Sequence, residues 1–346
     1  MKKLIYTVFA IATLVLTSCS NKVDLWSNDG DSTIVYALLD ASADTNFIKI
    51  TKSFVGNVND LGHVYEANNY SYDDLEVTLT GVFEGSSATQ TIALDTVSRW
   101  IAYNDQSVFY SGCRQVYYYT TRKLLEGKEY TLNILRKTDN VVVSAKTETI
   151  NTFVFQKPAA TVDITFTDVP TSIAYVEWRV NDFPYKSTAS FFEVTGYFRY
   201  KELQPGAQDT AIMEIVWPFG EGKEESLYNT STNMPYYVIS YTPSALYSIL
   251  ERNDYLQTHS PVGVERWFDK FEIRVSAIGE DLYNYYLVSN SSSAIQDVPN
   301  YSNIENGVGI MSARISRSLH LNISEKTRNK IHDKFPDYGF PHTPGK

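Results

Sequence analysis

Four glutamates in predicted β-strands are the residues whose type and spacing come closest to hydrolytic chemistry. They are Glu177, Glu193, Glu214 and Glu272. Hydrolysis of a glycosidic bond needs two carboxyl groups several ångströms apart. Apolar residues alternate with these acids, which places the carboxylates on the polar strand faces, near Arg179 and Arg274. We therefore expect solvated cross-strand ion pairs, and we predict no catalytic residues.

Other signatures of hydrolases and metal sites are missing from the sequence. It has no Gly-x-Ser-x-Gly and no serine followed by lysine three positions later. The five histidines form no His-x-His or His-Glu-x-x-His motif, and His320 is expected to face solvent from a strand. Gly307-Val308-Gly309 lacks the third glycine of a dinucleotide loop and instead predicts a close backbone approach or a bulge. The sequence thus predicts a non-enzymatic protein without a metal or cofactor.

Two acidic loops raise the question of calcium binding. Asn28–Ser32 and Asp40–Asp44 supply hard oxygen ligands, but neither has the spacing of an EF-hand loop with its distal glutamate. Aspartate, asparagine and glycine are equally common in turns. The sequence leaves both interpretations open.

Clustered tyrosines are the most suggestive sign of a surface site. The chain has 26 Tyr, 17 Phe and 5 Trp. Neighbouring rings in Tyr117–Tyr119 must point to opposite faces of a strand, so at least one leaves the core, and Tyr236–Tyr237 repeats this pattern. Exposed aromatic rings stack on sugars or form protein contacts. The alternative is that tyrosine simply suits a half-buried sheet.

The N-terminus predicts a lipid anchor on Cys19. Two lysines precede an apolar run over residues 4–16, which is shorter than the roughly 20 residues of a membrane span and fits a signal peptide. Leu-Thr-Ser-Cys at residues 16–19 resembles the lipobox of bacterial lipoproteins, in which the cysteine is acylated and becomes the new N-terminus. The alternative is an ordinary secretory signal with a chance cysteine. We expect residues 1–18 to be removed and residues 19–32 to form a polar tether of about 20 Å.

Cys113 would then be the remaining cysteine with a free side chain. One thiol cannot form an internal disulfide, so we expect Cys113 to act as a small buried hydrophobic residue. A nucleophile and an intermolecular bridge are the alternatives.

The composition narrows the class of protein. A chain of 346 residues, 43% hydrophobic and 20% charged, can bury a sizeable core and has room for about two domains. Its formal net charge of −10 argues against nucleic acid as a partner, because phosphate groups are bound by basic surfaces.

Alternation with a period of two is the dominant pattern and predicts a mainly β fold. Three hairpins are predicted in the first half: Thr33–Leu39 with Phe47–Lys52, Leu75–Phe83 with Thr89–Thr96, and Glu129–Arg136 with Val141–Thr149. Strands at this spacing over residues 33–155 are typical of an immunoglobulin-like or fibronectin-like β-sandwich.

The alternation breaks near Gln156, where we place a domain boundary. Later strands are predicted at Thr161–Thr167, Ile173–Val180, Phe191–Tyr200, Ala211–Trp217, Tyr236–Tyr241, Phe271–Ala277 and Gly307–Leu321. Short helices are predicted at 243–251, 280–289 and 325–334. Residues 156–335 therefore form a larger β-rich domain, and residues 336–346 a loose tail.

The C-terminal quarter carries a family resemblance. Glu280–Tyr286, Pro299 and Asn303–Ile310, which reads N-I-E-N-G-V-G-I, resemble a family of uncharacterised outer-envelope lipoproteins of Bacteroides-type bacteria. Met311 departs from the pattern, because the family has an aromatic residue there. The resemblance implies an outer-membrane location beside a TonB-dependent transporter, and it implies no chemistry.

These observations favour a non-enzymatic, lipid-anchored outer-membrane protein that serves as an accessory or binding component of an envelope transporter. The alternative is a surface protein that binds a glycan or another ligand, and a hydrolase comes third. The expected partners are the membrane, through the anchor, and the transporter. The sequence leaves open the membrane face, the ligand and the oligomeric state.

Overall fold

The computed structural model describes residues 32–53, 71–101, 113–181, 184–231, 234–260, 262–290 and 301–341. The predicted signal peptide, Cys19, nearly all of the predicted tether and the end of the predicted tail lie outside these residues, as do residues 28–31 of the first acidic loop. Cys113 begins a strand, but its side chain is also outside the description, so its burial stays a prediction. Among the described helices, none combines the length and hydrophobicity needed to cross a membrane.

The first half of the described chain contains eight strands. They are β1 Thr33–Leu39, β2 Asn46–Lys52, β3 Leu75–Gly81, β4 Gln90–Ala93, β5 Asp95–Ile101, β6 Cys113–Thr120, β7 Glu129–Arg136 and β8 Val141–Glu148. The pairs β1–β2, β3–β4 and β7–β8 are antiparallel, which confirms the three predicted hairpins. The strand predicted at Thr89–Thr96 is divided in two, because β4 ends at Ala93 and the following strand, β5, belongs to another sheet.

The second half contains eight further strands and five short helices. The strands are β9 Phe153–Lys157, β10 Ala174–Val180, β11 Phe191–Leu203, β12 Ala211–Lys223, β13 Tyr228–Asn229, β14 Tyr236–Tyr241, β15 Glu265–Ile278 and β16 Val308–Leu321. The helices are α1 Glu224–Leu227, α2 Ala245–Glu251, α3 Asp254–Thr258, α4 Glu280–Asn290 and α5 Glu325–Lys334. All three predicted helices are present. Ser324 caps α5 as expected, since its side chain accepts from the backbone N–H of Thr327.

Two details of the predicted strands are wrong. The segment over residues 161–167 forms no strand, because Ile164 makes an isolated parallel bridge with Ile323 and the N–H of Phe166 donates to the Thr327 hydroxyl at 2.8 Å. Its alternation is real, since Ile164 and Phe166 are both buried. The strand predicted to end before Pro218 instead continues to Lys223. Proline is tolerated there because β12 lies at the edge of its sheet.

The strands form three sheets. The largest has eight strands in the order β12-β11-β15-β16-β1-β2-β6-β5. The other two are β13-β14-β10-β9 and β4-β3-β7-β8. The predicted mainly β class is therefore confirmed, and short helices accompany the later strands as expected.

Two hydrophobic clusters form the core. The first joins β1, β2 and β6 of the large sheet to β3, β7 and β8, so two sheets pack face to face in a β-sandwich. The second lies between the other half of the large sheet and β9, β10 and β14, with α2, α3 and α5 packed against it. The clusters divide the chain near residue 150, close to the predicted boundary. Ile304 and Met311 nevertheless belong to the first cluster, and the division into domains stays a prediction.

The segment Asn303–Ile310 lies at the junction between the two halves of the large sheet. Here β16 pairs in parallel with β1, with Val35 opposite Gly309. Gly309 has φ +117°, and a Cβ there would overlap the carbonyl oxygen of Val35. The Asn303 side chain donates to the carbonyl oxygen of Met311 at 2.7 Å and accepts from its N–H at 2.9 Å. The predicted close backbone approach is thus confirmed, and Met311 is fully buried.

Candidate functional site

Four aromatic side chains from three neighbouring strands lie on the outer face of the large sheet, and we call them the aromatic face. They are Tyr36 of β1, Phe47 of β2, and Tyr117 and Tyr119 of β6. Cross-strand register places Phe47 opposite Tyr119, while Lys49 lies opposite both Tyr117 and Tyr36. The ring of Phe47 lies 6.4 Å from that of Tyr117 and 5.8 Å from that of Tyr119, measured between centroids.

The aromatic face remains partly open to solvent. Tyr36 is 43% exposed and Phe47 is 39% exposed, while Tyr117 and Tyr119 are half-buried. The guanidinium of Arg99, from edge strand β5, lies 5.1 Å from the Phe47 centroid, which is cation–π geometry. The surface therefore combines large apolar rings with a cation.

The opposite faces of the same strands explain why these rings point outward. Val35, Ile48 and Tyr118 alternate with the exposed aromatics and are buried in the first hydrophobic cluster. Burial raises the pKa of Tyr118, with a further contribution from the negative charges of Asp74 and Asp73. The prediction that one side of Tyr117–Tyr119 leaves the core is therefore confirmed. Tyr36 and Phe47 were not recognised from the sequence as surface aromatic residues, although they occupy outward-facing positions of a correctly predicted hairpin.

The second tyrosine pair belongs to the core. Tyr237 is fully buried, and its hydroxyl donates to Glu224 at 2.7 Å while accepting from the N–H of Ser187 at 2.8 Å. Burial raises the pKa of Tyr237 well above its usual range. Tyr236 is half-buried, and its hydroxyl accepts from the Asn229 amide at 3.1 Å. Tyr236–Tyr237 therefore offers little free aromatic surface.

Glu272 is buried, which corrects the expectation of a solvated ion pair. Its carboxylate contacts Arg199 at 2.5 Å and Arg274 at 2.7 Å, and it accepts from the Ser318 hydroxyl at 2.6 Å. Burial opposes ionisation, but the Ser318 hydrogen bond and the Arg274 and Arg199 charges outweigh it, so the pKa of Glu272 lies below its usual value. These long arginine side chains cover the carboxylate on the outer face of the sheet.

Of the other three predicted acids, Glu214 shares an arginine with Glu272, while Glu193 and Glu177 make separate contacts. Exposed Glu214 pairs with Arg199 at 2.7 Å, and Arg199 thus bridges it to Glu272. Exposed Glu193 accepts from the neighbouring Thr195 hydroxyl at 3.0 Å. Glu177 is buried and pairs at 2.9 Å with Lys157, where an arginine was expected. Each acid lies on the strand face that alternation predicted.

A fully buried ion pair between Arg266 and Glu202 was not recognised from the sequence. The two groups meet at 2.7 Å, and both side chains are almost wholly removed from solvent. Glu202 also accepts from the Tyr255 hydroxyl at 2.6 Å and from the Gln204 amide at 2.7 Å. The guanidinium donates three further hydrogen bonds, to the Ser260 hydroxyl and to the backbone oxygens of Tyr338 and His259. Both carboxylate oxygens and all three guanidinium nitrogens have hydrogen-bond partners, so we interpret the network as a structural clamp.

The second acidic loop forms a turn. The Asp40 carboxylate accepts from the N–H and the hydroxyl of Ser42 at 2.8 and 2.6 Å, while Asp44 lies 3.9 Å from the ammonium of Lys123. Within the described residues, no three His, Cys, Asp or Glu side chains are grouped to hold a metal ion. His320 is exposed on β16, as predicted.

Comparison with known proteins identifies a family. The model of a domain of unknown function, DUF4249, matches residues 22–318. No curated protein sequence matches the chain. A solved structure titled "Cytokine receptor complex - Crystal form 1A" matches at 9% identity over 84% of this chain and 97% of that chain, with a TM-score of only 0.19. Since the family match covers most of the sequence, including strands of both hydrophobic clusters, the chain belongs to the DUF4249 family.

Proposed function

We propose that the chain is a lipid-anchored outer-membrane protein without enzymatic activity, whose aromatic face contacts a TonB-dependent transporter. The aromatic face is the observation that carries this proposal. Tyr36 and Phe47 stay exposed even though the same strands bury apolar side chains on their other side. Tyrosine, phenylalanine and arginine are enriched at protein interfaces, where rings supply contact area and a guanidinium supplies orientation.

The position of the aromatic face on the sheet supports a partner in the membrane. Tyr36 follows the first residue of β1, Thr33, by three positions, which is about 10 Å along a strand. The proposed tether, residues 19–32, would end where β1 begins. An acyl chain on Cys19 would hold the aromatic face near the membrane surface and raise the effective concentration of a modest contact.

The state of the strand carboxylates supports a non-enzymatic role. A general acid in glycoside hydrolysis needs a raised pKa and access to the substrate. Glu272 has neither, because it is buried under Arg199 and Arg274 and its pKa is lowered. Glu214 shares Arg199 with it.

Capture from detergent extracts tests the proposal. The full-length protein with Phe47→Ala and Tyr119→Ala should lose at least about tenfold of the transporter recovered by the wild type, since central aromatic anchors contribute most of an interface's affinity. The measurement is quantitative mass spectrometry of proteins that co-purify with the tagged lipoprotein. Tyr175→Ala is the matched control, because Tyr175 is similarly exposed but lies on β10 in another sheet.

Undiminished capture by the double variant would contradict the proposed contact. Turnover of a glycan or peptide by the purified protein, lost in Glu272→Gln, would contradict the non-enzymatic assignment. A circular dichroism melt should show that both Ala substitutions leave the fold intact.

A surface that binds a glycan is the second candidate, favoured by the same rings. The half-buried Tyr117 and Tyr119 sit beside Phe47, and aromatic faces with nearby polar groups stack on sugar rings. Isothermal titration with soluble oligosaccharides distinguishes the two candidates. Binding that Tyr117→Ala abolishes, without any transporter in the pull-down, would favour the glycan.

A further inference from the structure

The edge strand β12 is open along part of its length. It is the last strand of the eight-stranded sheet, paired with β11 on one side and with no described strand on the other. Every second residue of such a strand directs its N–H and C=O away from its neighbour. Natural edge strands are usually protected by proline, bulges or charge. Here Pro218 and the irregular register opposite Val194 and Thr195 protect the part of β12 towards Lys223, and residues 211–217 lack both devices.

The unprotected part displays apolar side chains. Ile212 is 68% exposed and Val216 is 54% exposed, on either side of Glu214. Their face is the outer one, since Met213, Ile215 and Trp217 point the other way into or against the second hydrophobic cluster. An added strand would therefore cover apolar surface as well as backbone polar groups.

A groove of about 570 Å³ runs beside this edge. We call it the strand–helix groove, and its lining includes Ile215 and Val216 of β12 with Ala245, Ser248, Ile249 and Arg252 at and after α2. Helix α2 is fixed at one wall because Leu246, Tyr247 and Leu250 are buried in the core. The groove thus combines an open sheet edge with a rigid helical wall, which is the arrangement that receives an extended peptide as an added strand.

The charge of the groove indicates what kind of peptide fits. The exposed Arg252 side chain has no carboxylate within ion-pair distance among the described residues. Glu214 is already neutralised by Arg199 at 2.7 Å. A second copy of this chain fits poorly, because antiparallel pairing centred on Glu214 would set two glutamates opposite each other. The free charge in the groove is therefore positive.

We propose that the strand–helix groove binds an extended peptide of another protein, which adds to β12 as a ninth strand and places an acidic residue against Arg252. Backbone hydrogen bonds to residues 211–217 give the affinity. Alternate apolar side chains of the peptide pack on Ile249 and Val216, and the carboxylate selects the peptide's orientation. This site is separate from the aromatic face and does not depend on the proposed function.

Fluorescence anisotropy with synthetic peptides tests the proposal on the full-length protein in detergent. The probe is a labelled peptide of alternating valine and threonine that ends in two aspartates. This peptide should bind the wild-type protein, and Arg252→Glu should weaken its binding about three- to tenfold. The same substitution should strengthen the binding of a second peptide that ends in two lysines in place of the two aspartates. Arg314→Glu is the matched control for net charge, because Arg314 is exposed on β16, three strands away, and it should leave both affinities unchanged.

Backbone methylation separates strand addition from other modes of binding. Two versions of the peptide are made, one with N-methyl groups on the odd residues and one with N-methyl groups on the even residues, so that each version has one hydrogen-bonding edge blocked. One version should lose binding and the other should keep it. Equal binding by both versions would overturn the proposal, as would absence of binding by the aspartate peptide. A wild-type dimer that Val216→Lys dissociates would overturn it too, by showing that a second copy occupies the edge.

Discussion

At the scale of single residues, the most deeply buried ion pair of the described chain lies in a network that satisfies its carboxylate. The pair is Arg266 with Glu202, in which both side chains are buried and every oxygen of the carboxylate has a donor. A buried ion pair adds little net stability compared with apolar residues of the same size, but removing one partner leaves an uncompensated charge. The pair therefore fixes the arrangement of β11, β15 and the loop after α3.

Removing either partner should strongly destabilise the protein. Arg266→Met and Glu202→Gln are each expected to lower the free energy of unfolding by about 3–5 kcal/mol, while the double replacement by Met and Leu recovers part of the loss. Urea denaturation measures these values. Lys146→Ala is the control, since its pair with Glu129 at 3.5 Å is exposed, and it should cost less than about 1 kcal/mol.

The same variants have an expected pH dependence. Burial opposes ionisation of Glu202, but bonds from Tyr255, Gln204 and Arg266 lower its pKa below the usual value. A lowered folded-state pKa means that this stabilisation is present above the unfolded pKa, about 4.3, and is lost as the pH falls through the folded value. Glu202→Gln should therefore show a smaller loss of stability in acid than the wild type. An identical acid profile would contradict the clamp.

At the scale of elements, the junction of β1 and β16 depends on backbone contact that few residues permit. Gly309 combines φ +117° with a position where a Cβ would overlap Val35. Asn303 closes the same turn of chain by bonding both backbone groups of Met311. The segment that carries the family resemblance is therefore explained by sheet assembly.

Gly309→Ala should disrupt this junction. We expect a loss of more than about 3 kcal/mol in unfolding free energy, because the substitution adds a steric clash to the strain of a positive φ. Gly85→Ala is the matched control, since Gly85 has φ +83° with nothing within 4 Å of its Cβ position, and it should cost about 1–2 kcal/mol. Equal losses in the two variants would show that the clash is relieved elsewhere.

The alternation of apolar and polar residues was sufficient to predict the hairpins and the faces of the strands. It was not sufficient to predict which charged side chains are buried. Alternation correctly predicted that the rings of Tyr117–Tyr119 divide between two faces, and it correctly assigned Glu272 to the face opposite the core. It could not show that Arg199 would cover Glu272, or that Arg266 would meet Glu202, because each of these contacts joins β11 to β15, which are distant in sequence. The outward Tyr36 and Phe47 were predictable, since their phase is set by the hairpin alone.

At the scale of the whole molecule, the proposed anchor on Cys19 would decide where the protein works. Cys19→Ala should release the protein into the soluble fraction, because residues 19–346 contain no other apolar run of membrane length. Fractionation and immunoblotting measure the distribution, and Cys113→Ala is the control that should stay in the membrane pellet. A Cys19→Ala protein that is processed but still pelleted would contradict lipid anchoring.

The parallel pairing of β1 also has a mechanical consequence. Strand β1 lies between β2 and β16, with hydrogen bonds on both sides. A pull on the proposed tether, residues 19–32, would act along the strand, so it would load both rows of hydrogen bonds in shear at once, since these bonds run across the strand direction. Unzipping one bond at a time would need force across the sheet. With the proposed anchor in a membrane, drag on the protein would be shared between β1 and its two neighbours, β2 and β16.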